Sequence, residues 1–419
     1  MVKRLRFIHF FGLVILLFFA SVHLAWGQSD MMEDVDLEEN DSVFVSILTC
    51  APGSEAYDLY GHTALRICDM RQDFDRVYNY GIYNFSQPNF TWRFILGETD
   101  YMMIGIPLRN FLYSYAAEGR SVTEQVLHLT PEQKGLVAKV VFENANTPNW
   151  TYRYRYSDDN CTTRVVDAVL QAIEKSGSKV VLPDTLQPTT RRTMIRRFAG
   201  VFPWTEFSDD LLMGAELDKE ISGTQQLFLP LCAAEILQGI VVQDTQGECY
   251  PLVSKCRVLV DCPPLQAKQM VVMPYMYCAA ACLLVLALTV YEWKKRKNFV
   301  LLDVALLLPQ GLAGCIIAFL FFFSQHPGMD SNWLVLLLNP LPLLLLPFVV
   351  RSQKRGTRFA RYFYAVNGDV CLILAVIAAV GIQSFPRGFL FLAGCLLIRS
   401  LRHVLPALKN KETKGIDIH

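Results

Sequence analysis

Charge is scarce in this sequence of 419 residues. Charged residues make up 19% of it, the 39 Lys and Arg equal the 39 Asp and Glu, and hydrophobic residues reach 52%. Apart from four arginines within residues 191–197, basic clusters occur only beside long apolar segments, so the broad electrostatic footprint of a nucleic-acid-binding protein is missing. The apolar content also exceeds that of an ordinary soluble enzyme. We therefore expect a membrane protein with no nucleic-acid partner.

Metal-binding motifs are missing as well. No CxxC or HxxxH pair occurs in the first 271 residues, so the sequence predicts neither a zinc site nor another cofactor. Those residues contain seven cysteines, and an odd number leaves at least one thiol unpaired in a compartment where disulfides form. The seven are Cys50, Cys68, Cys161, Cys232, Cys249, Cys256 and Cys262. Three of them crowd residues 249–262 and two flank the first predicted strand pair, which makes Cys161 a candidate free thiol.

The N-terminus has the pattern of an export signal. Three of the first six residues are basic, an apolar run extends from Phe7 to Ala25, and Gly27 follows. No cysteine follows the run closely, which excludes a lipoprotein signal. Residues 1–27 are predicted to be a cleaved signal sequence or, because the run is long, a retained N-terminal anchor.

Five further apolar segments are long enough to cross a membrane as helices. They are Val272 to Tyr291, Phe299 to Phe323, Trp333 to Val350, Tyr364 to Gln383 and Phe389 to Leu405. The connection at 292–298 carries four Lys or Arg residues and that at 324–332 carries none, so the positive-inside rule places the preceding domain outside the cytoplasm. We predict a multi-pass protein of the inner (cytoplasmic) membrane, with a periplasmic domain at 28–271, a helix bundle at 272–405 and a cytoplasmic tail at 406–419.

Polar residues and prolines interrupt the apolar segments. The third segment contains Asn339, Pro340, Pro342 and Pro347, and each proline removes a backbone donor that lipid cannot replace. This span is predicted to be broken or packed inside the bundle, where the break either lines a lipid-entry groove or is a simple kink. Asp303, near the cytoplasmic end of the second segment, is expected to lie at the membrane interface.

The exported part shows the local patterns of an α+β domain. Alternating apolar residues predict strands at 42–48 and 62–67, with a partner strand at 75–80. His62 directly follows Gly61 at the start of the second strand. It lies on the less apolar face of that strand and is expected at an edge of the sheet.

A helix is predicted to begin at Cys161. Asp159 or Asn160 can cap it, and it extends to about Gly177. Val165 stands one helical turn beyond Cys161 and shares its apolar face. The thiol is therefore expected on the buried face of the helix, at its N-terminus.

Cys161 and His62 are candidates for a nucleophile and its general base. The unpaired N–H groups and the dipole of a helix N-terminus stabilise a thiolate, and the same groups can bind an oxyanion. A histidine packed against that helix start completes a Cys-His pair. The alternative for each residue is structural, a small core cysteine and a histidine that follows a turn.

Three sequence blocks resemble the signature blocks of the Lnb-type lipoprotein N-acyltransferases. They are YGHTALR at 60–66, YNYGIYNF at 78–85 and NCTTR at 160–164. That family has an N-terminal periplasmic domain followed by several membrane helices, an arrangement that matches nearly the whole chain. The order of a strand histidine before a helix cysteine is also similar to circularly permuted papain-like folds, including lecithin retinol acyltransferase and related amidases. The implied fold class is α+β, a permuted papain-like extracytoplasmic domain followed by an all-α transmembrane bundle of about five helices.

The resemblance implies a thiol-dependent acyltransferase. Cys161 would take an acyl chain from a phospholipid as a thioester, with His62 as base and later acid. The chain would pass to the α-amine of a lipid-modified N-terminal cysteine on a membrane lipoprotein, so the implied partners are a phospholipid donor, a lipoprotein acceptor and the bilayer. A papain-like lipase or peptidoglycan amidase on the same pair is the alternative, because either water or an amine can resolve an acyl-enzyme.

Four further residues are candidates for the same site. Asn79 would orient the imidazole, as the third member does in papain-like sites, or is an ordinary strand residue. Arg164 would bind a lipid phosphate, or forms a salt bridge to Asp167 or Asp158. Tyr60 and Tyr156 would line the site, or belong to the core. Residues 178–230 predict loops and amphipathic helices that either cover the pair or only pack against it.

Overall fold

The apolar alternation near the N-terminus forms strands close to the predicted positions. β1 is Val43–Cys50, β2 is His62–Asp69 and β3 is Phe74–Ile82, and neighbouring strands in this group pair antiparallel. Nine further strands follow in the described residues. They are β4 Asp100–Pro107, β5 Val122–Leu127, β6 Thr151–Arg153, β7 Lys179–Val181, β8 Thr189–Thr190, β9 Glu220–Ile221, β10 Val241–Gln243, β11 Cys249–Pro251 and β12 Val253–Val260.

The structure, a computed structural model, covers most of the chain. It describes residues 42–54, 58–83, 88–146, 150–264 and 272–412. The predicted signal sequence or anchor at 1–27 lies outside the described residues. From Val43 onward the described residues form one compact unit, in which an α+β part precedes a helical part. The predicted α+β class is confirmed.

Seven strands form the main sheet, in the order β12-β5-β1-β2-β3-β4-β6. β2 pairs with β1 on one side and β3 on the other, so it lies inside the sheet. The expectation that His62 lies at a sheet edge is therefore wrong. His62 stands instead at the end of an interior strand, opposite Cys50 of β1.

Seven helices accompany these strands in the described residues. They are α1 Phe90–Leu96, α2 Leu108–Ala117, α3 Pro131–Asn146, α4 Cys161–Lys175, α5 Arg191–Ala199, α6 Pro203–Leu212 and α7 Pro230–Leu237. α4 begins at the predicted residue and ends two residues before the predicted Gly177.

The core lies on both faces of the main sheet. On one face Leu65 of β2 packs with Val165 and Val169 of α4 in a buried cluster that also includes residues of α3. On the other face Ala64 of β2 packs with Phe111 of α2. Successive residues of β2 thus enter opposite layers, as the pleat of a strand requires.

Five helices follow at the five predicted membrane segments. They are α8 Pro274–Lys295, α9 Val300–Phe323, α10 Leu341–Arg355, α11 Phe359–Ala379 and α12 Phe389–Glu412. Within the described part of the chain, four segments are long and apolar enough to cross a membrane. These are Pro274–Lys295, Val300–Phe323, Trp333–Arg355 and Phe359–Ala379. The fifth predicted segment lies in α12, which carries the buried Arg399.

The third membrane segment is broken, as its prolines predict. A 3₁₀ turn at Trp333–Leu336 is separated by four residues from α10, which begins at Leu341. Gln310 of α9 donates to the Leu337 carbonyl at 2.9 Å, and the Asn339 side chain accepts from the Leu341 N–H at 3.0 Å. These side chains pair backbone groups that lipid would leave without partners.

Asp303 faces the interior of the bundle rather than the membrane interface, which corrects the expectation for this residue. It accepts from Arg399 of α12 at 2.7 Å, and Arg399 also contacts Glu292 of α8 at 2.5 Å. All three side chains are almost fully buried. Because each charge has an opposite partner, the group links α8, α9 and α12 without leaving an unpaired charge inside the bundle.

The connections predicted to lie outside the cytoplasm contact the α+β part. Ser324, after α9, donates to the Ile95 carbonyl at 2.9 Å. Gln383, between α11 and α12, donates to the Met213 carbonyl at 3.3 Å. The basic connection at 292–298 lies at the other end of α9. These contacts agree with the orientation that the positive-inside rule predicts.

Candidate active site

A tight turn places His62 at the start of β2. The Gly61 N–H donates to the Asp58 carbonyl at 3.0 Å, and Gly61 has a φ of 80°. A Cβ at this position would lie 2.6 Å from the Cys50 carbonyl oxygen. Only glycine therefore allows the turn to approach β1 so closely, and this approach fixes the position of the His62 backbone, from which the imidazole extends.

Asn160 caps the helix that begins at Cys161. Its side-chain oxygen accepts from the N–H groups of Thr162 at 2.8 Å and Thr163 at 3.0 Å, and the Thr163 hydroxyl accepts from the Asn160 N–H at 2.8 Å. This reciprocal capping box selects Asn160 over Asp159 as the cap. It also engages two of the N–H groups that the sequence offered for oxyanion binding.

The structure brings together the three residues predicted to be catalytic. Nε2 of His62 hydrogen-bonds the side-chain oxygen of Asn79, which comes from β3. The imidazole also lies within hydrogen-bonding reach of the Cys161 thiol. Because Asn79 engages Nε2, Nδ1 is the ring nitrogen available for a hydrogen bond with the thiol. The three side chains thus form a chain from the amide through the imidazole to the thiol.

Burial and neighbouring charge shift the pKa values of Cys161 and His62 in opposite directions. Burial raises the pKa of Cys161, but the charge and hydrogen bond of His62, the Thr63 N–H and the Thr162 hydroxyl lower it to about 7. Burial lowers the pKa of His62, but the charge and hydrogen bond of Cys161 and the bond to Asn79 raise it above its ordinary value. The arrangement therefore favours a thiolate beside an imidazolium, the nucleophilic form of a cysteine.

Two further residues, Tyr154 and Gly81, lie near the Cys161 sulfur, and sequence reasoning did not assign them to the site. The Tyr154 hydroxyl lies within hydrogen-bonding reach of Cys161, and burial raises its pKa well above the ordinary value. Gly81 passes close to Cys161, since a Cβ on it would lie 3.5 Å from that of the cysteine. The alternation of tyrosines at 152, 154 and 156 was a visible signal for Tyr154. Its placement beside Cys161 required the pairing of β4 with β6.

The Cys161–His62 pair opens into a cavity of about 560 Å³. That volume lies in the usual range for sites that bury a small organic ligand. Six tyrosines line the cavity: Tyr60, Tyr83, Tyr101, Tyr115, Tyr154 and Tyr156. Aromatic rings with one polar atom each give a largely apolar wall that still offers hydrogen bonds.

Two of the three predicted substrate-binding residues line this cavity. The Tyr60 hydroxyl donates to Asp209 at 2.9 Å, and the Tyr156 hydroxyl donates to the Pro327 carbonyl at 2.6 Å. Arg164 does not line it. Its guanidinium is paired with Asp159 at 2.6 Å and covers the ring of Tyr152, 3.7 Å from the centroid. A salt bridge therefore describes this residue, but its partner is Asp159 and not the expected Asp158 or Asp167.

Among the described residues that line the cavity, Arg120 is the one that carries a guanidinium. Nε donates to the Ala51 carbonyl at 2.8 Å and Nη1 contacts Glu118 at 3.0 Å, while Nη2 is buried with no partner among the described residues. Its charge opposes protonation of His62. Sequence reasoning missed Arg120 because no local pattern marks it.

Comparison with known families supplies the remaining observation. The model of the Lnb N-terminal periplasmic domain matches residues 33–197, and that of the Lnb transmembrane domain matches residues 266–411. The two matches occur in the order that the resemblance predicted and cover both parts of the chain. This chain belongs to the Lnb family. Neither a curated protein nor a solved structure matches it.

Membership of the Lnb family makes the chain a multi-pass membrane protein of lipoprotein biogenesis with a periplasmic segment. His62, Asn79 and Cys161 all fall within the matched periplasmic domain. The cavity extends beyond that domain, because His326 and Met329 of the Lnb transmembrane domain also line it. The cavity is therefore a joint feature of the periplasmic and membrane parts of this Lnb protein.

The segment at 178–230, whose role the sequence left open, supplies another part of the cavity wall. Ile195 of α5 and Asp209 of α6 line the cavity, as does Phe228. Burial raises the pKa of Asp209 to about 6, against the Tyr60 hydrogen bond, which lowers it. This segment therefore covers the site in addition to packing against it.

Proposed function

We propose that this Lnb protein is a lipoprotein N-acyltransferase that uses Cys161 as its nucleophile. The observation that carries the proposal is the buried Cys161–His62–Asn79 arrangement at the wall of a cavity that reaches an outer loop of the membrane bundle. Both substrates of such a reaction, the phospholipid and the lipid-anchored protein, reside in one bilayer. A thiol held next to that bilayer meets them at high effective concentration.

The first step forms a thioester on Cys161. The thiolate attacks an ester carbonyl of the donor phospholipid, the ester C–O bond breaks, and the imidazolium of His62 gives its proton to the leaving alkoxide. A lysophospholipid departs. Asn79 holds the imidazole through Nε2 while Nδ1 serves the reacting atoms.

The second step transfers the acyl chain to an amine. The neutral α-amine of the lipid-modified N-terminal cysteine attacks the thioester, and the C–S bond breaks to restore the Cys161 thiolate. His62, now neutral, takes the proton that the new amide nitrogen loses. The products are an N-acylated lipoprotein and the starting thiolate–imidazolium pair.

The two-part architecture suits a reaction of membrane substrates at a thiol outside the cytoplasm. We assign residues 28–271 to the thiol domain outside the cytoplasm, 272–405 to the bundle and 406–419 to the cytoplasmic tail. A permuted papain-like ancestry for the thiol domain is part of the proposal, supported by the order of a strand histidine before a helix cysteine. The broken third segment leads into α10 from the same loop that carries Met329.

The test follows the acyl chain on the purified protein. The full chain is reconstituted in phosphatidylethanolamine vesicles, and its intact mass is expected to rise by one acyl group that hydroxylamine removes. A peptide with an S-diacylglyceryl N-terminal cysteine should then acquire that group as an amide. The same peptide with an acetylated α-amine is the matched control and should acquire nothing.

Two results would contradict the proposal in different ways. A wild-type chain that gains no hydroxylamine-sensitive mass, or a Cys161→Ala variant that gains the same mass, would remove Cys161 as nucleophile. Release of free fatty acid at one rate with and without the peptide would identify a lipase that uses the same pair.

A further inference from the structure

A short aromatic helix lies at the outer end of a membrane span. In α1, Trp92 is 53% exposed and Phe94 is 47% exposed. The Trp92 ring lies 5.3 Å from that of Phe319, in the last turns of α9. Two large exposed aromatic rings are unfavourable in water, but the membrane–water interface is where tryptophan and other aromatic residues concentrate. α9 therefore places the exposed face of α1 at interfacial depth.

The loop after α9 holds this helix in position. The last carbonyls of a helix have no partner within it, and here Ser324 donates to the Ile95 carbonyl at 2.9 Å and the Gln325 N–H to that of Leu96 at 2.8 Å. Nε2 of His326 contacts the Phe94 carbonyl at 2.6 Å. A helix of seven residues does not form alone, so these bonds define where α1 lies.

The same residues form the rim of the cavity that contains Cys161. Phe94 lines the cavity and is also half exposed, and His326 and Met329 line it from the loop side. Burial lowers the pKa of His326, so its ring is neutral near neutral pH. An apolar and uncharged rim thus lies where the cavity meets the interfacial face of α1.

We propose that an acyl chain of the donor phospholipid enters the cavity sideways from the outer leaflet, across the rim formed by Phe94, His326 and Met329. The proposal rests on the proposed function for the identity of the donor. It assigns α1 and the loop at 324–331 as a lateral entrance, with Phe94 as the residue that an entering chain must pass. Entry within the plane of the membrane spares the chain a passage through water, in which its CH₂ groups would be exposed.

Photo-crosslinking in vesicles tests the entrance without requiring catalysis. The full chain with Cys161→Ala is reconstituted in vesicles of phosphatidylethanolamine and phosphatidylglycerol that contain a phospholipid with a diazirine in its acyl chain. Irradiation is expected to label the cavity-wall peptide that contains Tyr154. Phe94→Asp should lower that labelling about tenfold, because a carboxylate in the path must be desolvated.

Two further variants separate entry from other effects. Tyr113→Asp makes the same change at an aromatic residue of α2 that is 74% exposed and does not line the cavity, and it should leave labelling unchanged. Met329→Asp, on the loop side of the rim, should lower labelling as Phe94→Asp does. An equal rate of Cys161 alkylation by iodoacetamide in the same variants with the cysteine restored confirms an intact site.

The proposal is overturned if the Tyr154 peptide of the parent chain is not labelled, or if it is labelled equally after Phe94→Asp and Met329→Asp. Failure of the proposed function has a different signature. In that case Cys161 of the wild-type chain gains no acyl group, whatever the cross-linking pattern.

Discussion

Cys161 differs from the other buried thiols of its domain in the direction of its pKa shift. Burial raises the pKa of Cys68 to about 11 and that of Cys232 to about 11, and it raises the pKa of Cys50 further. Cys161 is equally buried, yet the charge and hydrogen bond of His62 lower its pKa to about 7. The neighbours of Cys161, His62 first among them, therefore give its thiol a lower pKa than burial alone would.

The pH dependence of Cys161 alkylation tests this difference. The rate should rise with pH as the thiolate forms and reach half its maximum near pH 7. His62→Ala removes the charge that favours the thiolate and leaves the burial that opposes it, so the midpoint should move above the ordinary cysteine value of about 8.5. Mass spectrometry of each labelled peptide provides the rates, and Cys68 in the same chain serves as the slow reference. An unchanged midpoint in His62→Ala would contradict the account.

We propose that Asn79 positions the imidazole of His62, so its removal should affect rate and pH profile together. Asn79→Ala deletes the hydrogen bond to Nε2 of the charged imidazole, a bond worth about 1.5–3 kcal/mol, so thioester formation should slow by roughly 10- to 100-fold. The alkylation midpoint of Cys161 should rise, because the bond to Asn79 supports the imidazolium. Asn79→Asp keeps an acceptor oxygen and should retain the low midpoint. If Asn79 had only a structural role, Asn79→Ala would lower stability and leave the pH midpoint of Cys161 alkylation in the folded protein unchanged.

At the scale of elements, the site depends on where two of them begin. β2 starts at His62 because Gly61 allows a turn with a φ of 80° against β1. α4 starts at Cys161 because Asn160 caps it with two hydrogen bonds. Each start is a local feature, and together the two starts bring the His62 imidazole and the Cys161 thiol within reach of each other.

Gly61→Ala should disturb the site through the backbone alone. The new Cβ would meet the Cys50 carbonyl at 2.6 Å in a conformation that disfavours a side chain, so we expect a stability loss of about 1–3 kcal/mol and a large loss of Cys161 acylation. Gly119→Ala is the matched control, because Gly119 has a φ of 68° but nothing within 4 Å of a new Cβ. Denaturation and acylation assays on both variants provide the comparison. Equal losses in the two would show that strain, rather than the approach to β1, matters.

Local sequence signals predicted where many strands and helices begin, but said little about how these elements pair and pack. Alternation and caps operate within one element, which is why the strand at His62 and the helix at Cys161 were predictable. The full width of the sheet was not predictable, since β12, far along the chain, adds to it by pairing with β5. Tyr156 meets Pro327 across 171 residues, and no periodicity reports such a contact. The prediction that Arg164 binds a lipid phosphate did not consider Asp159, which is close in sequence and forms a salt bridge with the guanidinium.

At the scale of the molecule, the α+β part rests on the outer loops of the bundle through buried polar side chains. Asn332 donates to the carbonyls of Leu211 at 2.8 Å and Leu212 at 3.1 Å, and Gln383 donates to Asn332 at 3.0 Å. Both amides are almost fully buried. The end of α6, which helps to line the cavity, is thereby tied to two membrane connections.

Asn332→Leu should loosen this attachment. The change leaves two carbonyls of α6 without their donor, at a cost of about 1–3 kcal/mol. Hydrogen exchange should therefore speed up at the end of α6. Gln310→Leu, which removes a buried amide that bonds only within the bundle, is the control and should spare α6. Equal exchange at α6 in both variants would argue against a tie through Asn332.

The most direct test of N-acyl transfer by Cys161 is the acyl count of a lipoprotein. The N-terminal peptide of one lipoprotein is analysed by mass spectrometry from cells that lack their own N-acyltransferase, with and without this protein and with its Cys161→Ala variant. The account predicts one additional acyl group, as an amide on the α-amine, only with the wild-type chain. The same acyl count in all three samples, or an added group with Cys161→Ala, would contradict it.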